Sequence, residues 1–457
     1  MAPARSGLVG KLLRGLSLEP AFLAAFAARV WQSLAGLGTI YFFVEYLTPE
    51  AQGYYQTFLS LISLQSFLEL GINVAIISVA SHEWAGLTRD ARRTVLGDEN
   101  KVGRLAAMTK FVGAWFGGAA LLLLIGGGTV GYAVLIQHGQ RELWLGPWIA
   151  AIFMASGFLW CQGLIAVLEG CNQILEVALY RLVQGVASVL VLWLAVVSGA
   201  GIWSLAAMLG TNLVCALTFL GFAYRHFFAG LLFRRGRSTF RWQTDMWPMQ
   251  WPLALQGITN YFMLSLFVPV VFSFHGVVEA GRMGLSIQVV MALLAIATTW
   301  LTIATPRMGT AFASGDHARY QAIWRRASAA SILIILLGAL AASAVIWVSA
   351  AAGIAAIRRF LDPLPFSLLL LWGVSLHLVQ CMAAYWRAQR REPLRFWGVA
   401  PGAATGAAVW LLGREAGALG AAAGALAASL SVGVPIAFYF LRRSRIALAG
   451  EAVAASG

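Results

Sequence analysis

The 457-residue sequence is short of charge: Asp, Glu, Lys and Arg make up 11% of it, where an ordinary soluble domain carries roughly 25%. Acids are scarcest, 18 against 32 bases, and only three of the bases are lysine. The four cysteines, Cys161, Cys171, Cys215 and Cys381, lie in or beside apolar segments without paired spacing. That excludes a disulfide framework or thiolate metal site and leaves small buried hydrophobes. The six histidines never fall at metal-ligand spacing, and no acidic pair marks a glycosyl-transfer centre. Gly7-Leu-Val-Gly-Lys11 lacks the preceding strand and following hydroxyl of a phosphate loop. Long polar segments are missing too: 82–104 and 225–247, for example, have 23 residues each, too few for a soluble catalytic domain. These absences predict a non-enzyme with no cofactor and no metal.

What is abundant is apolar surface, 60% hydrophobic residues with a mean hydropathy of +0.78. No soluble core absorbs that much, so the chain reads as an all-α polytopic membrane protein. Apolar runs fall at 21–46, 54–80, 105–135, 147–169, 177–198, 203–224, 248–274, 283–304, 329–353, 366–386, 396–412 and 417–441. All but the eleventh comfortably span about 30 Å of hydrocarbon at 1.5 Å per residue. The eleventh, broken by Pro401 and rich in glycine, leaves ten or eleven crossings as an alternative to twelve.

Alternation of the loops turns the net charge of +14 into a topology. With the N-terminus inside, 24 of the 32 cations fall on cytoplasmic segments, five on outer loops (Arg141, Arg282, Arg358, Arg359, Arg414) and three within spans. The positive-inside rule thus predicts cytoplasmic termini, and the basic pI needs no nucleic-acid partner. Residues 1–20 form an amphipathic stripe (Leu8, Val9, Leu12, Leu13, Leu16) expected to lie on the inner leaflet as a helix, not a cleaved signal. The basic stretch 225–247 divides two six-helix lobes, 21–224 and 248–441, ahead of a tail at 442–457. Tyr46–Gly53 and Phe274–Gly281 carry Glu then Gly at matching outer turns, a faint duplication that predicts pseudo-symmetric lobes around a central cavity. Trp144, Trp148, Trp203, Trp247, Trp251 and Trp386, near span ends, read as interfacial anchors.

A charge in hydrocarbon costs about 2.5–3.5 kcal/mol, so ionisable groups inside spans normally face protein or water. Arg29 and Gln32 share a face of span one; Gln65, Glu69 and Asn73 share a face of span two. Arg29 and Glu69 reach similar depths, as an ion pair between neighbours or as cavity groups meeting substrate or a coupling ion. Arg181, Gln184 and Ser188 line one face of span five, where Arg181 can snorkel to the headgroups. Gln256, Thr259 and Asn260 follow Pro248 and Pro252, which predict a bent span seven. His377, near the middle of span ten, is either a core histidine or an ion-coupling group. Candidate substrate contacts are therefore Arg29, Gln32, Glu69, Asn73, Arg181, Gln256 and Asn260, with Glu69 and His377 as candidates for ion coupling.

Three segments carry a resemblance: Tyr-Phe-Phe-Val-Glu-Tyr-Leu-Thr-Pro-Glu-Ala-Gln-Gly-Tyr-Tyr-Gln-Thr-Phe-Leu-Ser-Leu at 41–61, Phe-Leu-Glu-Leu-Gly at 67–71 and Ala-Ser-His-Glu-Trp-Ala-Gly at 80–86. Covering about a tenth of the chain, they resemble the polysaccharide-transporter (Wzx-type O-antigen flippase) branch of the multidrug/oligosaccharidyl-lipid/polysaccharide exporter (MOP) superfamily. The resemblance implies two lobes around a cavity and movement of polyprenyl-diphosphate-linked sugars from inner to outer leaflet. Glu69 matches the family's acidic position; Pro49, Gly53, Tyr54 and Gly71 match its turn and helix start. The implied partners are the lipid-linked sugar, membrane lipid and polysaccharide-assembly proteins. The second half departs from the pattern in lacking intramembrane charge. Alternatives are a multidrug or small-solute exporter, of this superfamily or of the major-facilitator type suggested by Gly86-Leu-Thr-Arg-Asp-Ala-Arg-Arg93, or a non-transport component of polysaccharide assembly.

Overall fold

The computed structural model describes residues 20–69, 71–90, 92–139, 141–234, 240–389 and 398–454. The expected amphipathic helix at 1–20 and part of the basic linker lie outside them. Among the described residues the main helices are, in order, α1 Pro20–Tyr46, α2 Pro49–Glu69 plus Ile72–Trp84, α3 Glu99–His138, α4 Arg141–Gly170, α5 Ile174–Val197 and α6 Trp203–Ala223. The second half has α7 Trp247–Leu264 plus Phe267–His275, α8 Val277–Ala313, α9 His317–Ala351, α10 Pro363–Arg387, and α11 and α12 within Val399–Ile446. Among the described residues eight runs are long and apolar enough to cross a membrane, ten if each of two bent pairs is one span.

The last run is divided by its own backbone. Ala416 and Gly417 leave helical geometry, Gly417 with φ 59°, and the chain doubles back on glycine. A Cβ on Gly413 would lie 3.2 Å from that of Ala421, and one on Gly424 2.9 Å from the Ala408 carbonyl oxygen. Glycine allows both the left-handed turn and the close approach. The eleventh helix thus runs from Val399 to this break, longer than the expected 396–412, because Pro401 sits in its first turn, where a missing N–H costs nothing.

Elsewhere the starts are ordinary caps. Thr48 accepts from the Ala51 amide with Pro49 in the first turn, Asp98 accepts from Asn100 and Lys101, and Asp316 from Arg319. Helix neighbours repeat between halves. α1 packs on α5, α2 on α4, α4 on α6 and α5 on α6; α7 on α11, α8 on α10, α10 on α12 and α11 on α12 follow the same pattern six helices later. Apolar side chains such as Leu121, Ile125, Leu194, Leu340 and Val348 stand exposed around the bundle, as a lipid-facing surface requires.

Two features depart from the sequence reading. Trp144, Trp148 and Trp386 are core residues, not interfacial anchors: each is at most 2% exposed. The indoles of Trp144 and Trp148 donate to the Gly139 and Gly128 carbonyls, satisfying the one polar atom that would otherwise seek the interface. Trp203 and Trp247 are exposed. The loop after α2 also folds into an antiparallel ribbon, Thr88–Arg89 with Val95–Leu96. Asp90 holds its turn by accepting from the Thr94 amide, and Arg89 and Arg93 reach Glu176 and the face of Tyr224.

Candidate functional site

Gly71 breaks α2. Its φ of 65° is left-handed, open to glycine at little cost, and the two parts of the helix meet at 43°. The break places Glu69 at the end of one part and Asn73 in the first turn of the other, both half-buried. Asn73 Oδ1 is buried without a hydrogen-bond partner, and Glu69 has no ion pair or hydrogen bond among the described residues. α7 lies against this segment, with Phe67 4.7 Å from Tyr261 and 5.8 Å from Phe262 between ring centroids.

α7 is itself broken, as the sequence suggested, bending by 42° beyond Pro248 and Pro252, between Leu264 and Phe267. Pro248 occupies the first turn of Trp247–Leu264, where proline is tolerated. The break falls at Ser265 and Leu266 because Pro269, four residues beyond Ser265, clashes with the carbonyl that a continuous helix would place there.

The remaining candidates are dispersed. Gln32 is exposed on α1; the side chains of Arg29 and Gln256 lie outside the described residues, and with them the Arg29–Glu69 pairing. Arg181 is engaged: its guanidinium forks onto Glu169 of α4 at 2.6 and 3.3 Å. Gln184 donates to Asn212 at 3.0 Å. Asn260 is exposed, while Thr259 is buried and donates to the Leu255 carbonyl of its own helix. His377 is fully buried in the second half, its Nε2 2.9 Å from Ser331 Oγ and its Nδ1 unpartnered. The structure thus gathers Glu69 and Asn73 at one break and keeps Arg181 and His377 apart from it.

A junction that sequence reasoning missed lies at the other end of α2. Gly53 and Gly281 meet where α2 crosses α8: a Cβ on Gly281 would stand 2.8 Å from the Gly53 nitrogen and 2.9 Å from its Cα. Gln52 Nε2 donates to the Gly281 carbonyl at 2.9 Å and the Arg359 carbonyl at 3.1 Å. The Arg359 guanidinium donates to the Leu47 carbonyl, and Gln288 donates to Gln56 at 3.3 Å. The Glu-then-Gly repeat was the available signal; it marks two turns that touch as well as a duplication.

No protein-family model matches the sequence, and no curated protein does. Solved structures do. A lipid II flippase, MurJ in an inward closed conformation, superposes with a TM-score of 0.66 at 12% identity, over 92% of this chain and 87% of that one. The chain has the MOP exporter fold. An inward-facing multidrug-resistance MATE transporter of the MOP superfamily gives 0.63 at 14% identity over 94% and 96%; an outward-facing one gives 0.59 at 15% over 94% and 97%. The MOP fold accounts for the six-plus-six pattern of neighbours and makes this a multi-pass membrane protein whose structural relatives are transporters.

Proposed function

We propose that the chain is a flippase for polyprenyl-diphosphate-linked oligosaccharide, carrying a surface-polysaccharide precursor from the inner to the outer leaflet by alternating access. The supporting observation is an asymmetry along α2. At one end its backbone interlocks with α8 through Gly53 and Gly281; further along, Gly71 opens the helix and leaves Glu69 and Asn73 without partners. Halves interlocked at the first end, with the helix broken open further along, correspond to the inward-facing state of such a cycle. The positive-inside count makes the interlocked end the outer one and puts the chain in a bacterial inner membrane with cytoplasmic termini. The lobes 21–224 and 248–441 rock about the basic linker. Arg29 contacts the diphosphate by charge-assisted hydrogen bonds, Glu69 holds or releases it, and polysaccharide-assembly enzymes deliver and take the sugar. Arg181, already forked onto Glu169, orders α4 against α5.

The near-equal fit to a MATE exporter favours a second reading: export of organic cations with Glu69 as counter-charge. One experiment separates them. The purified chain in proteoliposomes should move a fluorescent polyprenyl-diphosphate oligosaccharide and not a cationic dye. Dye transport alone replaces the flippase reading with the exporter, and transport of neither overturns both.

A further inference from the structure

Arginine on the outer side runs against the charge bias of the whole chain, yet three of the five outer arginines gather in one place. Arg282 of α8 and Arg358 and Arg359 of the turn before α10 line an open pocket of about 470 Å³ with Pro49, Val278 and Ala355, within the roughly 300–1,000 Å³ of small-ligand sites. Arg282 is partly engaged, bonded to the Phe360 carbonyl and to Asp362 at 2.7 Å each. Arg358 has no partner among the described residues. Arg359 spends one nitrogen on the Leu47 carbonyl, while its Nη1 is buried without an acceptor. Burial holds its guanidinium below the usual arginine value, with Glu50 the opposing charge. Glu279, next in sequence to the lining residue Val278, is occupied in accepting from the Ala418 amide.

We propose that this pocket is an outer-face site for a phosphate or diphosphate group, and that its occupancy holds the outer end shut. Guanidinium forks suit phosphoryl oxygens, and the exposed, unpartnered Arg358 supplies donors that the protein leaves unused beside the partly engaged Arg282. The walls come from both halves: Pro49 from the first, the arginines from the second. Arg359 also ties to Leu47, and Gln52 ties back to the Arg359 carbonyl. Parting α2 from α8 would pull Pro49 and Leu47 away from the arginines and dismantle the pocket. A ligand bound only by the closed form therefore shifts the population toward it. The binding claim stands apart from the transport reading; the locking claim rests on alternating access.

The test uses the full chain in nanodiscs, titrated with inorganic pyrophosphate, with spin labels at Ser198→Cys and Ala352→Cys reporting separation of the two halves at this end. In phosphatidylcholine discs, pyrophosphate should bind saturably and raise the short-distance population. Arg358→Ala, at an exposed residue without partners, should weaken binding about fivefold or more, the loss of one charge-assisted contact, and Arg358→Lys should restore part of it. If the phosphate comes from a lipid headgroup, phosphatidylglycerol discs should give the short distance without pyrophosphate, again lost in Arg358→Ala. Absence of any Arg358-dependent response in both discs overturns the site. Binding without a change in distance overturns the locking. Either result leaves sugar-lipid transport in proteoliposomes to be judged separately.

Discussion

Gly53 and Gly281 stand backbone against backbone where α2 crosses α8. No side chain separates the two halves at that point, so the fit depends on both positions lacking a Cβ. Gly281→Ala would gain about 1 kcal/mol of helix propensity but drive a methyl into main-chain atoms that have no rotamer to yield. Overpacking of this kind costs about 1–3 kcal/mol. The mutant should therefore show a weaker population with the two halves closed at this end, read as a longer distance between labels on them. An unchanged distance distribution would contradict the contact.

Gln52 should act on the same equilibrium through hydrogen bonds. Its amide serves two carbonyls of the second half, Gly281 and Arg359. Gln52→Ala leaves both to find water, at about 1–3 kcal/mol, and opens the end more often. Cysteine-accessibility measurements along Ala51–Phe58 should report faster labelling.

Pro269 sets the bend of α7. Pro269→Ala removes the clash with the Ser265 carbonyl and restores a donor, so thermal stability should rise while transport falls several-fold as the helix straightens. Stability without loss of transport would mean that the 42° bend has no role in the cycle.

Glu69→Gln keeps size and removes charge. Because Glu69 has no partner among the described residues, the protein should fold at normal levels yet lose about tenfold or more in transport, as should Arg29→Ala. Unimpaired transport in both variants would remove this pair from the mechanism.

His377 is predicted to be structural. Its ring is fully buried on Ser331, so His377→Ala should lower stability by about 2–4 kcal/mol through cavity formation and loss of the hydrogen bond. The pH profile of the remaining transport should be unchanged; a shifted profile would restore His377 as a coupling group.

Legibility differed by residue. Pro49 and Gly71 were marked by the resemblance as a turn and a helix start, and the structure puts a side-chain cap at the first and a left-handed glycine at the second, both local features. Pro248 and Pro252 pointed to the bent span but not to the residue that bends it: Pro248 sits in the first turn, where no preceding carbonyl must be placed, whereas Pro269 meets that condition just beyond the bend. Trp144 and Trp148 misled because position near a span end does not say whether an indole finds an internal carbonyl.

The sequence by itself determined that the chain is helical and membrane-borne, that its halves are alike, and that its charges alternate. Hydropathy and charge are properties of each segment, and each segment answers to lipid and water alone. Only the tertiary structure decided which residues meet. Gly53 and Gly281 are more than two hundred residues apart, as are Gln52 and Arg359, and their contact depends on the crossing of two helices from different halves. Arg282, Arg358 and Arg359 tell the same story: scattered exceptions to a charge rule in the sequence, they line one pocket once α8 and the turn before α10 are packed together.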